Sequence, residues 1–481
     1  MLEYFQGVWQ LGLSLGMILY SQPSPVPDCR ITEAEALTKA TLLQAAITGR
    51  DRLSQQRYAE IVALHSQRLS QCRRQTQPAV LGTWLRLYPC DLQPGALDQT
   101  LDNIVNFGYN RIYLNTFYDG RVLLPQVDNP TIWPSVLGKE YKDRDLLAEV
   151  IQKARQRGIK VHAWLYTMNF GPNYRGKANH SAIARNGYGE TNLSDPAVLP
   201  EVKRASHIFI DPYSEDARKD LQVLIKAVAK RQPDGIAFDY IRYAHRTVPQ
   251  ITQVQDLMIY GTPSFSRLLQ RAKTDQARQL LYAFLAKGKV DAKLKAQPRW
   301  WSFPPHRQIE ILSNQPLNRQ MWQLAVAHAQ QGVIDFLNQA LFAVPTSIPT
   351  SAVFFPRANQ TSSNGVDPRL QPWPQFRRTQ EWTPMLYAAC GQNDCILAEL
   401  DLVVKQLPKN LELCPVIAGY WGQSLGGRPA LEQQMQAIYR AYPNLQCTSH
   451  FAYSWLDPQL DQARRNCSIA KTSQRKFSPS S

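Results

Sequence analysis

Read for apolar and polar positions alone, the chain from Thr83 onward repeats one rhythm, a short apolar run followed by a longer stretch with helical spacing. The strand-like runs are TWLRLYP (83–89), RIYLNTFYD (111–119), KVHAWLYTMN (160–169), GIAFDYIRY (235–243), SAVFFP (351–356), WTPMLYA (382–388), LCPVIAGYW (413–421) and CTSHFAYSW (447–455). Periodicity predicts helices at 96–108, 145–158, 214–231, 320–343, 395–407 and 430–440, several closed by signals such as RGI or FGYN. Eight strands alternating with helices over about 370 residues is the pattern of an α/β protein of the (β/α)8 TIM-barrel kind. An open doubly wound sheet is the alternative, but no glycine-rich dinucleotide fingerprint follows the first strand.

Ahead of the barrel, residues 32–47 and 51–74 read as two helices joined by the breaker TGRD. Residues 29–78 are therefore expected to form a helical hairpin whose open end brings Cys29 and Cys72 into a disulfide. Residues 1–28 carry an apolar run from Val8 to Tyr20 and then a Pro/Ser-rich stretch, which resembles a signal peptide, with an uncleaved anchor as the alternative. The barrel is expected over 79–457, with a Lys/Arg/Gln-rich insertion at about 244–319 after the fourth strand. After the fifth strand, RANQTSSNGVDPRLQPWPQFRRT replaces a helix with a loop, and 458–481 reads as a basic tail. Long loops on this fold belong to the active-site face.

Composition narrows the partners. At 44% hydrophobic and 19% charged the chain is globular, and a net charge of +16 favours polyanionic surroundings. With no zinc-finger spacing or RNA-recognition signature, nucleic acid is not expected; an anionic cell wall or membrane surface is. Eight cysteines, an even number, favour an extracytoplasmic compartment: periplasmic, envelope-associated or secreted. The pairing of the six beyond Cys29 and Cys72 stays open. No paired C-x-x-C suggests zinc, so neither metal nor cofactor is expected.

The fourth run poses the chemical question, because GIAF suits a strand covered on both faces and yet Asp239 and Arg242 follow at once. In a barrel the carboxyl ends of the strands converge on one mouth. Tyr118 and Asp119 end the second strand; His162, Trp164, Tyr166 and Asn169 lie on the third; Asp239, Tyr240, Arg242 and Tyr243 end the fourth. Tyr387, Tyr420 and Trp421 stand at later ends. Carboxylates among aromatics suit a sugar site, since sugar rings stack on Trp and Tyr and glycosidic cleavage uses two carboxyl groups. Asp239 is the first choice, its pKa expected to be lowered by Arg242. Asp119 is the leading partner, with Glu190, Asp211 and Glu310 as loop candidates, whereas Glu381 precedes its strand and should lie on the opposite, stabilising face. An Asp239–Arg242 structural pair and a core histidine at 162 are the plain alternatives. The loop GYWGQSLGGRP (419–429) could cradle phosphate, but reads better as a subsite loop.

LDNIVNFGYNRIYLNTFYDGRVLLP, DLLAEVIQKARQRGIKVHAWLY, HIFIDPYSEDARKDL and DGIAFDYIRY, with WTPMLY later, resemble the successive motifs of the glycosyl-hydrolase-like family 10 proteins, and the N-terminal hairpin is similar to that of cyanobacterial members. The resemblance implies a (β/α)8 barrel that hydrolyses β-linked polysaccharide, in some relatives the glycan strands of peptidoglycan. It supports Asp239 and Arg242 as site residues and His162 and Trp164 as cleft wall. The chain departs from the family where many relatives have consecutive aspartates, since Tyr240 follows Asp239, and it has LYT where Asn-Pro often follows HAW. The reading is an exported glycoside hydrolase acting on envelope or extracellular polysaccharide, with Asp239 and Asp119 catalytic. Arg242, Tyr243, Tyr240, His162, Trp164, Asn169, Tyr387, Tyr420 and Trp421 are expected to bind substrate. A catalytically inactive polysaccharide-binding barrel is the main alternative, and a phosphosugar enzyme a third.

Overall fold

In the computed structural model, residues 29–49, 51–176, 180–199, 207–291, 300–306, 315–361 and 365–467 are described. The apolar rhythm resolves into eight strands: β1 (Val80–Leu85), β2 (Arg111–Tyr118), β3 (Lys160–Tyr166), β4 (Gly235–Asp239), β5 (Thr350–Phe354), β6 (Glu381–Leu386), β7 (Val416–Ala418) and β8 (Cys447–Phe451). Each pairs in parallel with the next, and β1 pairs with both β2 and β8, so the sheet closes on itself. This is the (β/α)8 barrel expected from the pattern.

Helices Ala96–Asn106, Leu146–Gln156, Glu215–Ala229, Leu317–Phe342, Asp394–Val404 and Leu431–Ala441 follow strands β1 to β4, β6 and β7. Their apolar faces cover the outside of the barrel, with Leu101, Ile104, Val150, Leu221 and Leu224 almost wholly buried. Among the described residues, no α-helix follows β5, only a 3-10 turn at Trp373–Gln375.

Two boundaries differ from the sequence reading. β1 starts three residues earlier than its apolar run and ends at Leu85, and the rest of the run leads into a 3-10 helix at Pro89–Leu92. β4 stops at Asp239, because Tyr240 takes φ +53°, outside the β region.

The hairpin forms as expected from Glu33–Thr48 and Arg52–Gln75. Thr32 caps the first helix and Asp51 the second, accepting from the Ser54 N–H at 2.8 Å. Cys29 and Cys72 are bonded, with S–S 2.00 Å. Buried charges dock the hairpin on the barrel helices. Arg157 meets Asp102 at 2.8 Å and Asp98 at 3.0 Å, and Tyr58 donates to Asp102 at 2.7 Å. Residues 1–28, with the signal-like run, lie outside the described residues.

The insertion after β4 contains helices Thr262–Leu269 and Asp275–Lys287. The basic C-terminal segment begins with a docked helix, Pro458–Arg465. Arg464 is fully buried and grips Asp91 at 2.7 Å, and Cys467 is bonded to Cys90. The remaining disulfides are Cys390–Cys395 and Cys414–Cys447.

Candidate active site

Strand pleating stacks the barrel interior in layers. At the floor, Arg111 and Glu381 form a buried ion pair at 2.6 Å, and Tyr113 donates its hydroxyl to the same carboxylate at 3.0 Å. Glu381 therefore sits at the N-terminal face, as its place ahead of the sixth apolar run implied. Cys414 and Cys447 lie beside Glu381, but their sulfurs are bonded to each other, which leaves no open thiolate ligand there.

In the next layer the register pairs Tyr113 with His162 and His162 with Gly235. A Cβ at Gly235 would come within 2.7 Å of the imidazole, so the glycine opens the space His162 fills. One layer higher, Trp164 lies opposite Ala237, again large against small, and meets Trp84 edge to face at 4.8 Å. Tyr166 and Asp239 pair above that, at the mouth.

Asp239 is almost fully buried. Its Oδ2 accepts the indole N–H of Trp164 at 3.0 Å and its Oδ1 the backbone N–H of Tyr240 at 2.6 Å. Among the described residues it has no cation within ion-pair distance. Burial pushes its carboxyl above the usual range; the Tyr240 N–H, the Arg242 charge and the Trp164 indole pull the other way. This corrects the expectation that Arg242 would hold the pKa down, because desolvation outweighs a charge that is not in contact.

Arg242 is buried too, its guanidinium carbon 4.7 Å from the centre of the Tyr240 ring and 5.5 Å from that of Phe355. One arm donates to the Tyr243 carbonyl at 3.0 Å, and Nε has no hydrogen-bond partner among the described residues. The structural Asp239–Arg242 ion pair does not form.

Across the mouth, Asp119 follows β2 with φ +49° and lies 3.6 Å from Arg86. Burial raises its pKa and Arg86 opposes the rise. Its side chain is 37% exposed, so it is far wetter than Asp239. The Tyr166 and Tyr240 rings, 4.3 Å apart, feel the field of both carboxylates. Tyr240 also shares a hydrogen bond with His207 at 3.2 Å. Tyr387 closes the wall 6.0 Å from Phe451, within the field of Asp239, and Arg428 from the glycine loop donates to its carbonyl at 2.7 Å. Tyr420 stacks on Trp455 at 5.3 Å, and Trp455 in turn meets Phe451.

Asp239, Asp119, Tyr240, Arg242, Trp164 and Tyr387 thus converge, with Tyr420 at the rim, while four expected substrate contacts lie elsewhere. His162 is a core residue two layers below the mouth, kept neutral because burial lowers its pKa. Tyr243 is buried beside Asp211 and Tyr213 beneath the loop after β3. Asn169 ties that loop together by accepting from Gly171 and Ile208. Trp421 turns outward to donate to Tyr109 at 3.1 Å, with Arg30 over its ring. Of the loop acids, Asp211 is sealed against Ser264, Glu190 holds Asn186, and Glu310 lies outside the described residues.

Arg86 and Trp84 were not singled out in the sequence. Their signal is the period of two that starts in β1 with Gly82 and Trp84 and reaches Arg86 just past the strand's end. The run TWLRLYP hid it by continuing the apolar pattern past the strand's end.

Comparison with known proteins bears on this same stretch. Residues 87–302 match the family model Glycosyl hydrolase-like 10. Glycosyl hydrolase DigH of Escherichia coli K12 is 26% identical over 180 residues, 35% of this chain, and the match spans only 39% of that relative's length. Among solved structures, the PgaB (BpsB) glycoside hydrolase domain from Bordetella bronchiseptica aligns with TM-score 0.49 and 15% identity, covering 80% of this chain and 98% of that one. A GH18 chitinase from Pseudoalteromonas aurantia aligns with TM-score 0.38 and 10% identity over 81% and 99%. The segment that is similar to the glycosyl hydrolase-like 10 model contains Asp119, Trp164, Asp239 and Arg242.

Proposed function

We propose that the protein is an exported glycoside hydrolase that cleaves an envelope or extracellular polysaccharide by carboxylate acid–base chemistry, with the glycan strands of peptidoglycan among its candidate substrates. The observation that carries this reading is Asp239, a buried carboxyl at the end of β4 without a counter-ion in contact among the described residues, set among Trp164, Tyr240 and Tyr387. Burial favours the protonated form of a carboxyl so placed, the form that can give a proton to a leaving glycosidic oxygen. Asp119, wetter and beside Arg86, is suited to the ionised role of base or nucleophile. Two carboxyls held in different protonation states are what glycosidic cleavage requires. The aromatic walls offer flat faces for sugar rings, and Arg242 a buried donor for a hydroxyl. Export is supported by the four disulfides, which persist in oxidising compartments.

The test is release of reducing ends from purified peptidoglycan, with and without stem peptides, and from a panel of acidic polysaccharides. Asp239→Asn and Asp119→Asn should each lose activity by about 10²-fold or more. Glycan binding without release by the unaltered protein would replace this reading with that of a catalytically inactive polysaccharide-binding barrel, which the deep burial of Asp239 favours.

A further inference from the structure

The loop after β6 carries the Cys390–Cys395 bridge, which differs from the other three in exposure and in ring size. Cys390 is exposed and Cys395 half-buried, whereas each of the other bridges buries at least one of its cysteines: Cys29, Cys90, or both Cys414 and Cys447. Its two cysteines are 5 positions apart in sequence, against 33, 43 and 377 for the others. In the chain-entropy account the shortest ring restrains the unfolded chain least, so this bridge contributes the least stability of the four from that source. Little of the fold therefore depends on keeping it closed, and an incoming reagent can reach it.

The two sulfurs are also unequal. Cys395 lies in the first turn of the 11-residue helix Asp394–Val404, whose N-cap Asn393 makes no side-chain cap hydrogen bond. The positive pole of the helix favours a thiolate in that turn, and the neighbouring Asp394 offsets only part of it. Cys395 is therefore the better leaving group, and the exposed Cys390 the cysteine that an incoming thiolate meets first.

The bridge holds a part of the rim as well. Between its cysteines, Gly391 takes φ +77° and donates its N–H to the Gly427 carbonyl of the glycine loop at 2.7 Å. A Cβ on Gly427 would lie 3.5 Å from that of Ala389, so the two loops are in contact. Arg428 of the glycine loop donates in turn to the carbonyl of Tyr387, the aromatic wall beside Asp239, at 2.7 Å. Opening the bridge releases the segment that joins these contacts.

We propose that Cys390–Cys395 is a thiol–disulfide exchange site for an external dithiol, and that its opening frees the rim loop beside Tyr387. A thiolate of the dithiol attacks the Cys390 sulfur, the bond to Cys395 breaks, and its electron pair leaves on the Cys395 sulfur at the start of the helix. The second thiol of the dithiol, as thiolate, then displaces Cys390. The dithiol ends as a disulfide, and its two electrons and two protons end on Cys390 and Cys395 as free thiols. The reverse exchange with an oxidised dithiol closes the loop again.

The experiment exposes the folded full chain to graded dithiothreitol, traps free thiols with N-ethylmaleimide at set times, and maps them by mass. Amide hydrogen exchange is followed on the same samples. Cys390 and Cys395 should be labelled together, at least about tenfold faster than any other cysteine. Peptides that contain Gly391 should exchange at least about tenfold faster once the bridge is open, and as fast in Cys390→Ser/Cys395→Ser without dithiothreitol. Another bridge opening first, or no labelling of Cys390 and Cys395 until the protein unfolds, would overturn the exchange site. Unchanged exchange at Gly391 in both the reduced protein and the double variant would overturn the link to the rim. Neither readout uses glycan cleavage, so the proposal and the hydrolase reading fail separately.

Discussion

The two ends of the barrel each bury a carboxylate and an arginine, and they treat them in opposite ways. At the floor, Glu381 holds Arg111 at 2.6 Å and accepts a second bond from Tyr113, so each charge has its partner. At the mouth, Asp239 and Arg242 are comparably buried but do not touch. The carboxylate faces an indole and a backbone N–H, and the guanidinium faces aromatic rings. Both ends would cost free energy as isolated charges. The floor satisfies its pair internally; the mouth holds its two charges apart, as the proposed substrate site would use them. A paired charge in a barrel thus reads as architecture, and an unpaired one at a strand's carboxyl end as chemistry.

The comparison breaks first at the floor. Glu381→Ala strands Arg111 without a counter-ion and should lower stability by about 3–5 kcal/mol. A denaturant midpoint close to that of the unaltered protein would show that the floor pair is dispensable. Removing the Cys29–Cys72 bond by a double Cys→Ser change should cost about 2–4 kcal/mol in the hairpin's attachment and leave the pH profile of activity unchanged.

Smaller effects separate the two acids at the mouth. Arg242 pulls the Asp239 pKa down, so Arg242→Gln should raise it and carry the alkaline limb of the rate profile to higher pH, because the acid form is the working one. Arg86 pulls the Asp119 pKa down, so Arg86→Gln should carry the acidic limb to higher pH, because there the ionised form works. If instead Arg86→Gln moves the alkaline limb, the two roles are exchanged. Trp164→Phe removes only one neutral donor to Asp239 and should move the alkaline limb upward by less than Arg242→Gln does.

Much of this was legible in the sequence because apolar periodicity reports burial, and burial is what barrel strands and hairpin helices share. The break from GIAF to Asp239 was visible for the same reason, as a charge arriving where the pattern demands apolar side chains. What stayed hidden depends on backbone direction. Nothing in DYIRY announces that Tyr240 takes φ +53°, which ends the strand and turns Tyr243 into the packing beside Asp211. Trp421 sits at a strand end by count, yet it follows Gly419 at φ +158° and points into the helix layer toward Tyr109. The helix Pro458–Arg465 reads as a polar tail because only Leu460 and Ala463 form its apolar contact, and the rest of its hold on the body is a buried Arg464–Asp91 pair and the disulfide that follows it.

The most direct measurement takes Asp239→Asn and follows thermal unfolding and reducing-end release on the same preparation. The account predicts a folded protein whose stability falls by no more than about 1–3 kcal/mol, the cost of one lost hydrogen bond, since the amide keeps one acceptor for the two N–H groups that meet Asp239, together with loss of release by about 10²-fold or more. A folded Asp239→Asn protein that releases reducing ends at the normal rate, or one whose lost activity is matched by lost stability, would contradict it and make Asp239 a structural residue.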